Sequence, residues 1–302
     1  MRPWQLAVNN ALCGLLLIDK PAGLTSHDVV DKAREALRFT KIGHAGTLDP
    51  QATGLLVLAL GEATRWLPYL PSDKRYLATL RLGVETDTED IWGKELKRAD
   101  ASQVTDAALK AALHELKNSK TQVPPMISAL KQDGERFYKL ARQGVAIERK
   151  ERPVEIFSLE LGPRQGDDIE FEVHCGTGTY VRSLCAEVGR KLGVGASMAA
   201  LKRKSVGAFD IKDAVPLDSI DPSRVIGPEV ALAHLKSYTV AQPDEALLIE
   251  GRDLALEEGS WDESETWRML GSSGRLLGLG EPRKLKGSWR MQPKRVFGKS
   301  KT

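Results

Sequence analysis

Residues 43–56 read GHAGTLDPQATGLL and place a single carboxylate, Asp49, between a glycine-rich approach and a proline. Pro50 fixes its own φ and disfavours helical backbone at Asp49, while the three glycines permit conformations that a Cβ resists. The apolar run at residues 55–60 is typical of a buried strand. The stretch therefore predicts a rigid turn that aims one carboxylate from the edge of a core. On the Asp-Pro dipeptide alone, the simpler interpretation is a carboxylate bonded only to nearby amides.

The bulk composition is that of a globular protein with two domains. The chain has 302 residues, of which 41% are hydrophobic and 28% charged, enough for a main domain and a smaller module. No apolar run approaches the length of a membrane span, and residues 1–10 lack the apolar core of a secretory signal. We therefore expect a cytoplasmic protein with no membrane partner. Neither a disulfide framework nor a structural metal is predicted, because the cysteines are odd in number and lack zinc spacing: Cys13, Cys175 and Cys185.

Positive charge is concentrated at the C-terminal end. The net charge of +3 is too small to indicate nucleic acid binding by itself, but residues 281–302 contain eight Lys or Arg and one acid. Such a segment suits a phosphate backbone. A solvated, partly disordered terminus explains the charge equally well.

Hydrophobic periodicity predicts alternating strands and helices up to about Lys236, and a different composition after it. Strands are expected over residues 12–18, 55–60, 77–82, 154–161 and 169–175, the last two as an antiparallel pair. Helices are expected over 27–37, capped by Thr25 or Ser26, and over 105–116, 135–142 and 183–192. Short strand-like runs at 246–249, 267–270 and 276–279 indicate a small β barrel. We predict a main domain over 13–236 and a C-terminal module over 237–302.

Several stretches match, in order, the signatures of one enzyme family. Residues 43–56 resemble the active-site motif of the TruB family of pseudouridine synthases, whose wider superfamily shares little more than an aspartate followed by a Thr-Gly pair. The resemblance covers about residues 13–210, and its other stretches read DKPAGLTSHDVV (19–30), DKRYLATLRLGVETDTED (73–90), GTYVRSL (178–184) and ASMAALKRKSVGAF (196–209).

The resemblance implies an α/β (α+β) fold. Its catalytic domain has a mixed, largely antiparallel central sheet flanked by helices and loops, and a small PUA-like β barrel follows at the C-terminus. The segments GRLLGLGE and WRMQPKRVF are similar to such RNA-binding modules. In the first signature a Lys-Pro pair braces the catalytic loop, although Lys20 taken alone is equally a surface charge.

Three residues are implied to be catalytic. Asp49 is the catalytic carboxylate, Tyr76 stacks on the target base and is the candidate for proton transfer, and Arg182 pairs with Asp49. An arginine partner would hold a carboxylate ionised and oriented. Taken alone, Tyr76 is an ordinary half-buried aromatic. The other implied substrate-binding residues are His44, which stacks on displaced loop nucleotides, Tyr180, which lines the base pocket, and Leu201, an apolar wall of that pocket.

Residues 122–144 resemble the family's insertion, a mobile loop at about 120–152 that clasps RNA. Most relatives have an aromatic where this chain has Ile127, so a stacking contact is not predicted there. A solvated helical face is the alternative to phosphate contacts in this loop. The basic side chains predicted to meet the RNA backbone, in the loop and in the last signature, are Lys131, Arg136, Lys139, Arg142, Lys202 and Arg203.

The implied reaction breaks the N1–C1′ bond of uridine, turns the uracil and rejoins it through C5. It involves no redox change or energy input, so no cofactor is predicted. The target base must first leave its stack, and a folded loop suits this. The resemblance implies the uridine at position 55 in the tRNA T-loop, so the predicted partner is the tRNA T-arm, with no obligate protein partner.

Two other functions are compatible with parts of the sequence. A non-catalytic RNA-binding or RNA-folding protein on the same scaffold would explain the basic segments but not Asp49. A glycosidase would use Asp49, but it needs a second carboxylate at a suitable spacing, which is not evident. The acids Asp87, Glu89 and Asp90 lack the rest of a calcium loop and are interpreted as structural.

Overall fold

The computed structural model describes residues 12–126, 131–132, 135–136 and 149–297. Its α-helices are α1 (Ser26–Leu37), α2 (Asp106–Lys117), α3 (Val181–Lys191), α4 (Pro228–Ala231) and α5 (Gln242–Glu250). Its strands are β1 (Gly14–Lys20), β2 (Ile42–His44), β3 (Thr53–Leu60), β4 (Lys74–Leu82), β5 (Val84–Thr86), β6 (Glu95–Arg98), β7 (Thr121–Gln122), β8 (Lys131–Gln132), β9 (Glu135–Arg136), β10 (Arg152–Pro153), β11 (Ile156–Gln165), β12 (Asp168–Cys175), β13 (Ala196–Val206), β14 (Phe209–Asp210), β15 (Val215–Pro216), β16 (Lys236–Thr239), β17 (Leu254–Ala255), β18 (Trp267–Leu270), β19 (Leu276–Leu285) and β20 (Ser288–Val296). Among the described residues, no helix is both long and apolar enough to cross a membrane.

A nine-stranded sheet forms the centre of the molecule. Its strand order is β11-β12-β4-β13-β3-β1-β15, with β14 beside β13 and β2 beside β3. The pairings of β13 with β3 and of β1 with β15 are parallel, and the others are antiparallel. The prediction of a mixed, largely antiparallel sheet is confirmed. A second sheet, in the order β16-β18-β19-β20-β17, forms a C-terminal half-barrel. The division into two domains after Lys236 stays a prediction.

Strand β3, which follows Asp49, is the most buried strand of the central sheet. Its apolar run does not alternate with polar residues because both of its faces are covered. Leu55 and Val57 pack in one cluster with Leu15, whereas Leu56 and Leu58 pack in another against helix α1. The Asp49 turn therefore ends in a strand that cannot shift without disturbing two parts of the core.

Two predicted elements differ from the structure. The run at 246–249 lies in helix α5, not in a strand, because Pro243 and two acids favour a helix start and Gly251 ends it in left-handed backbone (φ 86°). The helix predicted over 135–142 is wrong at its start, since Glu135–Arg136 pairs with Lys131–Gln132 as a two-stranded sheet. The rest of that predicted helix lies outside the described residues.

The described part of the basic C-terminal segment, residues 281–297, is folded. Strands β19 and β20 pair antiparallel over most of it, so the interpretation as a disordered terminus is wrong for residues 281–297. Phe297 packs edge-on against Trp66 with ring centroids 6.2 Å apart, and Arg65 Nη1 donates to the Val296 carbonyl at 2.9 Å. These contacts tie the half-barrel to the short 3₁₀ helix that follows β3.

Candidate active site

The turn that carries Asp49 is fastened to the connection between β1 and α1. The backbone N–H of Leu48 donates to Ser26 Oγ at 2.8 Å, and that hydroxyl lies 3.2 Å from the Leu48 carbonyl. On the other side of Asp49, Lys20 Nζ donates to the Pro50 carbonyl at 3.0 Å. Backbone on both sides of the carboxylate is thus held by groups from elsewhere in the sequence. Sequence reasoning missed Ser26, whose only visible role was as a helix cap.

Lys20 is fully buried and braces the turn, as the resemblance implied, and the interpretation as a surface charge is wrong. Its Nζ also donates to the carbonyls of Pro21 at 2.8 Å and Leu24 at 2.6 Å. Burial lowers the pKa of Lys20 to about 8, and the negative charge of the nearby Asp49 opposes that shift. The ammonium therefore links the turn at residues 21–24 to the backbone of the Asp49 turn.

Gly54 marks the closest approach of β3 to β13. Its φ is +99°, and a Cβ at this position would lie 2.3 Å from the Arg203 carbonyl oxygen and 2.7 Å from the Arg203 nitrogen. No side chain can yield here because both contacts are backbone. The glycine of the Thr-Gly pair is therefore required by the packing of two strands that meet beside Asp49.

We expect Gly54→Ala to destabilise the fold by roughly 3 kcal/mol, because the methyl group collides with β13 backbone in addition to straining φ. Urea unfolding measures the loss. Gly23→Ala is the matched control, since Gly23 has a similar φ of +86° but nothing within 4 Å of an added Cβ. The control should lose about 1 kcal/mol from the left-handed backbone alone. Equal losses in the two variants would show that the β13 contact is unimportant.

Arg182 and Asp49 form a two-bond ion pair, which confirms the predicted pairing. Arg182 Nε lies 2.9 Å from Asp49 Oδ2, and its Nη2 donates to Oδ1 at 3.3 Å. The arginine side chain is 7% exposed, whereas the aspartate side chain is 39% exposed. Arg182 Nη1 also donates to the Thr88 carbonyl at 3.0 Å. Asp49 is therefore accessible on one side, and on the other side it is oriented by the two bonds from Arg182.

Helix α3 presents Arg182 in its first turn. The N-cap residue of this helix, Tyr180, is held by Gln122, whose Oε1 accepts from the Tyr180 N–H at 2.8 Å and whose Nε2 donates to the Tyr180 carbonyl at 3.0 Å. Gln122 is buried and comes from β7, 58 residues earlier. Sequence reasoning assigned it no role, because a side-chain contact at this separation leaves no local pattern.

The structure brings Tyr76 into the same core cluster as the residues beside Asp49. Tyr76 on β4 and Leu201 on β13 are both buried and pack in one cluster with Leu48 and Ala52. Burial raises the pKa of Tyr76 above its ordinary value, so its phenol is neutral near pH 7. The aromatic ring of Tyr76 and the Leu201 side chain can therefore line a pocket beside the Asp49 carboxylate.

His44 lies on β2, at the start of the Asp49 turn. It pairs with Leu58 of β3 and is half-buried. Burial lowers the pKa of His44, which keeps the imidazole neutral near pH 7. Its predicted stacking on RNA stays a prediction.

The acids at 87–90 hold the site together. Glu89 Oε2 accepts from Ser183 Oγ at 2.5 Å, and Asp90 Oδ1 accepts from the Trp92 N–H at 3.1 Å. Asp90 Oδ2 also lies 3.9 Å from Arg182 Nη1, so it faces the arginine that orients Asp49. The structural interpretation is confirmed, but it missed this proximity to the site. Within the described ranges, no group of three His, Cys, Asp or Glu could hold a metal ion.

The predicted RNA-backbone contacts have different outcomes. For Arg203 the prediction is wrong, because the side chain is fully buried and its guanidinium bonds to protein carbonyls. Lys202 is exposed and lines an open cleft of about 760 Å³ with Lys32 and Thr53, a cleft whose lining does not include Asp49. Its RNA contact stays a prediction. The side chains of Lys131 and Arg136, together with all of Lys139, Arg142 and Ile127, lie outside the described residues.

The site therefore combines an oriented and accessible carboxylate, a neutral buried phenol and an apolar wall. Such an arrangement can attack an electrophilic carbon or remove a proton while apolar surfaces retain a detached ring.

Known proteins are similar to this chain both in sequence and in fold. The model of the TruB family pseudouridylate synthase N-terminal domain matches residues 34–181, and that of the tRNA pseudouridylate synthase B C-terminal domain matches residues 182–235. A tRNA pseudouridine synthase B of Aromatoleum aromaticum is 44% identical over 291 residues, covering 94% of this chain and 92% of that protein. One from Syntrophotalea carbinolica is 47% identical over 209 residues, covering 69% and 68%. A chain in the crystal structure of a Cbf5-Nop10-Gar1 complex aligns with a TM-score of 0.72 at 26% identity, covering 95% of this chain and 85% of that one.

Proposed function

Because the chain belongs to the TruB family of pseudouridine synthases, and is thus an isomerase of uridine in tRNA, we propose that it converts the uridine at position 55 of the T-loop. Asp49 is the catalytic carboxylate in this proposal. The family activity leaves the non-catalytic RNA binder and the glycosidase without support.

One observation carries the assignment of Asp49, namely its two-bond pair with the buried Arg182, next to Leu48 and Ala52, which pack in one cluster with Tyr76. A carboxylate fixed from behind and open in front is available to a nucleotide that has left its stack. A T-loop offers such a nucleotide, recognised by loop shape and ribose hydroxyls.

The reaction divides between two side chains. Asp49 acts at the glycosidic bond, where N1–C1′ breaks and C5–C1′ forms, so that the uracil is transferred within one nucleotide. Tyr76 packs against the detached ring and takes part in the removal of the proton from C5, while N1 gains a proton. Leu201 and Tyr180 close the pocket around the ring. The proposal needs no cofactor, because bonds are exchanged without change of oxidation state.

The test is incubation of the protein with a T-loop minihelix that carries tritium at C5 of the target uridine. We expect tritium release in step with pseudouridine formation, mapped as a carbodiimide adduct at position 55. A minihelix with cytidine at that position is the control. Binding without release would contradict the proposal, and free uracil with an abasic site would indicate a hydrolase.

A further inference from the structure

Arg203 is a buried cation, so its charge is not available for a contact at the protein surface. Its side chain is fully buried, and among the described residues its hydrogen-bond partners are backbone carbonyls and not carboxylates. A buried charge without a counter-ion is costly, and an apolar residue of similar volume would fill the space at lower cost. The guanidinium therefore has a specific task in the fold or in the site.

The contacts of Arg203 lie on both sides of Asp49 in the sequence. Its Nε donates to the Leu55 carbonyl at 2.6 Å, after the carboxylate, and its Nη2 donates to the Gly46 carbonyl at 3.2 Å, before it. The Thr47 carbonyl lies 3.5 Å from Nη1. A single rigid fork thus spans the two ends of the turn that presents Asp49.

Arg203 also reaches Tyr76, which it faces across the β4–β13 pairing. The two residues are directly opposite each other in register and both are buried, so their side chains lie on the same face of the sheet within contact range. A guanidinium has five donors and no acceptor, so towards Tyr76 it can only present N–H groups to the phenol oxygen. The same cation therefore holds the path of the Asp49 turn and faces the phenol of Tyr76.

We propose that Arg203 is a positioning residue, which sets the Asp49 turn and the Tyr76 hydroxyl in one geometry for the reaction. The inference rests on the proposed function for its kinetic consequence, but the contact of Arg203 with Tyr76 is testable without turnover. It also replaces the predicted phosphate contact of this residue.

The kinetic test compares Arg203→Lys and Arg203→Met with the wild-type protein in single-turnover assays at saturating tRNA. We expect the rate to fall roughly 100-fold in each, because the turn and the hydroxyl lose their common anchor, while the Kd for tRNA stays within about twofold. Arg203→Lys keeps the charge and carries the test if Arg203→Met does not fold. Arg81→Met, which removes a partly exposed arginine on β4, is the control and should keep the wild-type rate.

The second measurement is NMR of protein labelled with ¹³C at Cζ of its five tyrosines. The Tyr76 signal is assigned by its loss in Tyr76→Phe. In Arg203→Lys this signal should move while the other tyrosine signals stay, which a general loss of stability would not produce.

Three outcomes would overturn the proposal: an unchanged rate in Arg203→Lys, an unmoved Tyr76 signal, or a loss of tRNA affinity that equals the loss of rate. The last would restore the phosphate contact. A wild-type protein that forms no pseudouridine would contradict the proposed function instead, and the NMR arm would still test the contact.

Discussion

Asp49→Asn should abolish pseudouridine formation while tRNA binding stays nearly unchanged. The amide keeps the size of the side chain and can still accept a bond from Arg182, but it has neither the charge nor the nucleophilic oxygen of a carboxylate. We expect the single-turnover rate to fall roughly 10⁴-fold or more, since the variant has no carboxylate at this position to act at the glycosidic bond. Tritium release gives the rate, and filter binding gives the Kd, which should stay within about threefold.

The matched control for this variant is Asp31→Asn, which removes an exposed carboxylate that pairs with Arg34 on helix α1. That change should leave rate and affinity at wild-type values. If Asp49→Asn retained the wild-type rate, Asp49 would have no part in the chemistry. If affinity fell as far as the rate, Asp49 would be a binding residue.

The second large effect is expected from Arg182→Lys. A lysine ammonium cannot reproduce the two bonds from Nε and Nη2 to the carboxylate, nor at the same time the bond to the Thr88 carbonyl. Asp49 would then lose its fixed direction, and Asp90 would lose the arginine it faces. We expect the rate to fall roughly 10³-fold with little change in tRNA affinity, measured in the same assays.

Arg190→Lys provides the comparison, because Arg190 lies on the same helix but is exposed. It should behave as wild type. The double variant Asp49→Asn/Arg182→Lys should be no slower than Asp49→Asn alone, since the arginine acts through the aspartate. A further loss in the double variant would mean that Arg182 contributes to the reaction by another route.

The elements around the site could be predicted because local rules and the fold agree there. The uninterrupted apolar run after Asp49 is a doubly covered strand, and Thr25 caps helix α1 through a reciprocal bond with Asp28. The pairing of Arg182 with Asp49 came from the resemblance, not from any local pattern. The run at 246–249 was misassigned because four apolar residues do not distinguish a strand from a helix without the cap at Gly251.

Arg203 shows where charge misleads. It lies between Lys202 and Lys204, and composition presents the three as one basic surface. In a strand, however, side chains alternate between faces, so the inward position of Leu201 places Arg203 inward as well. Residues 201–206 read LKRKSV and show no apolar alternation that would have indicated this burial, so only the structure identifies it and the carbonyls that the arginine bonds.

Because Arg182 is buried, the chemical step and the binding of RNA should respond differently to ionic strength. Mobile ions screen exposed charges strongly, but they screen an ion pair weakly when one partner is buried. Added salt therefore weakens the attraction between phosphates and surface lysines, whereas the Asp49–Arg182 pair stays largely unchanged. Salt should therefore raise the tRNA concentration needed for half-maximal rate long before it lowers the rate at saturation.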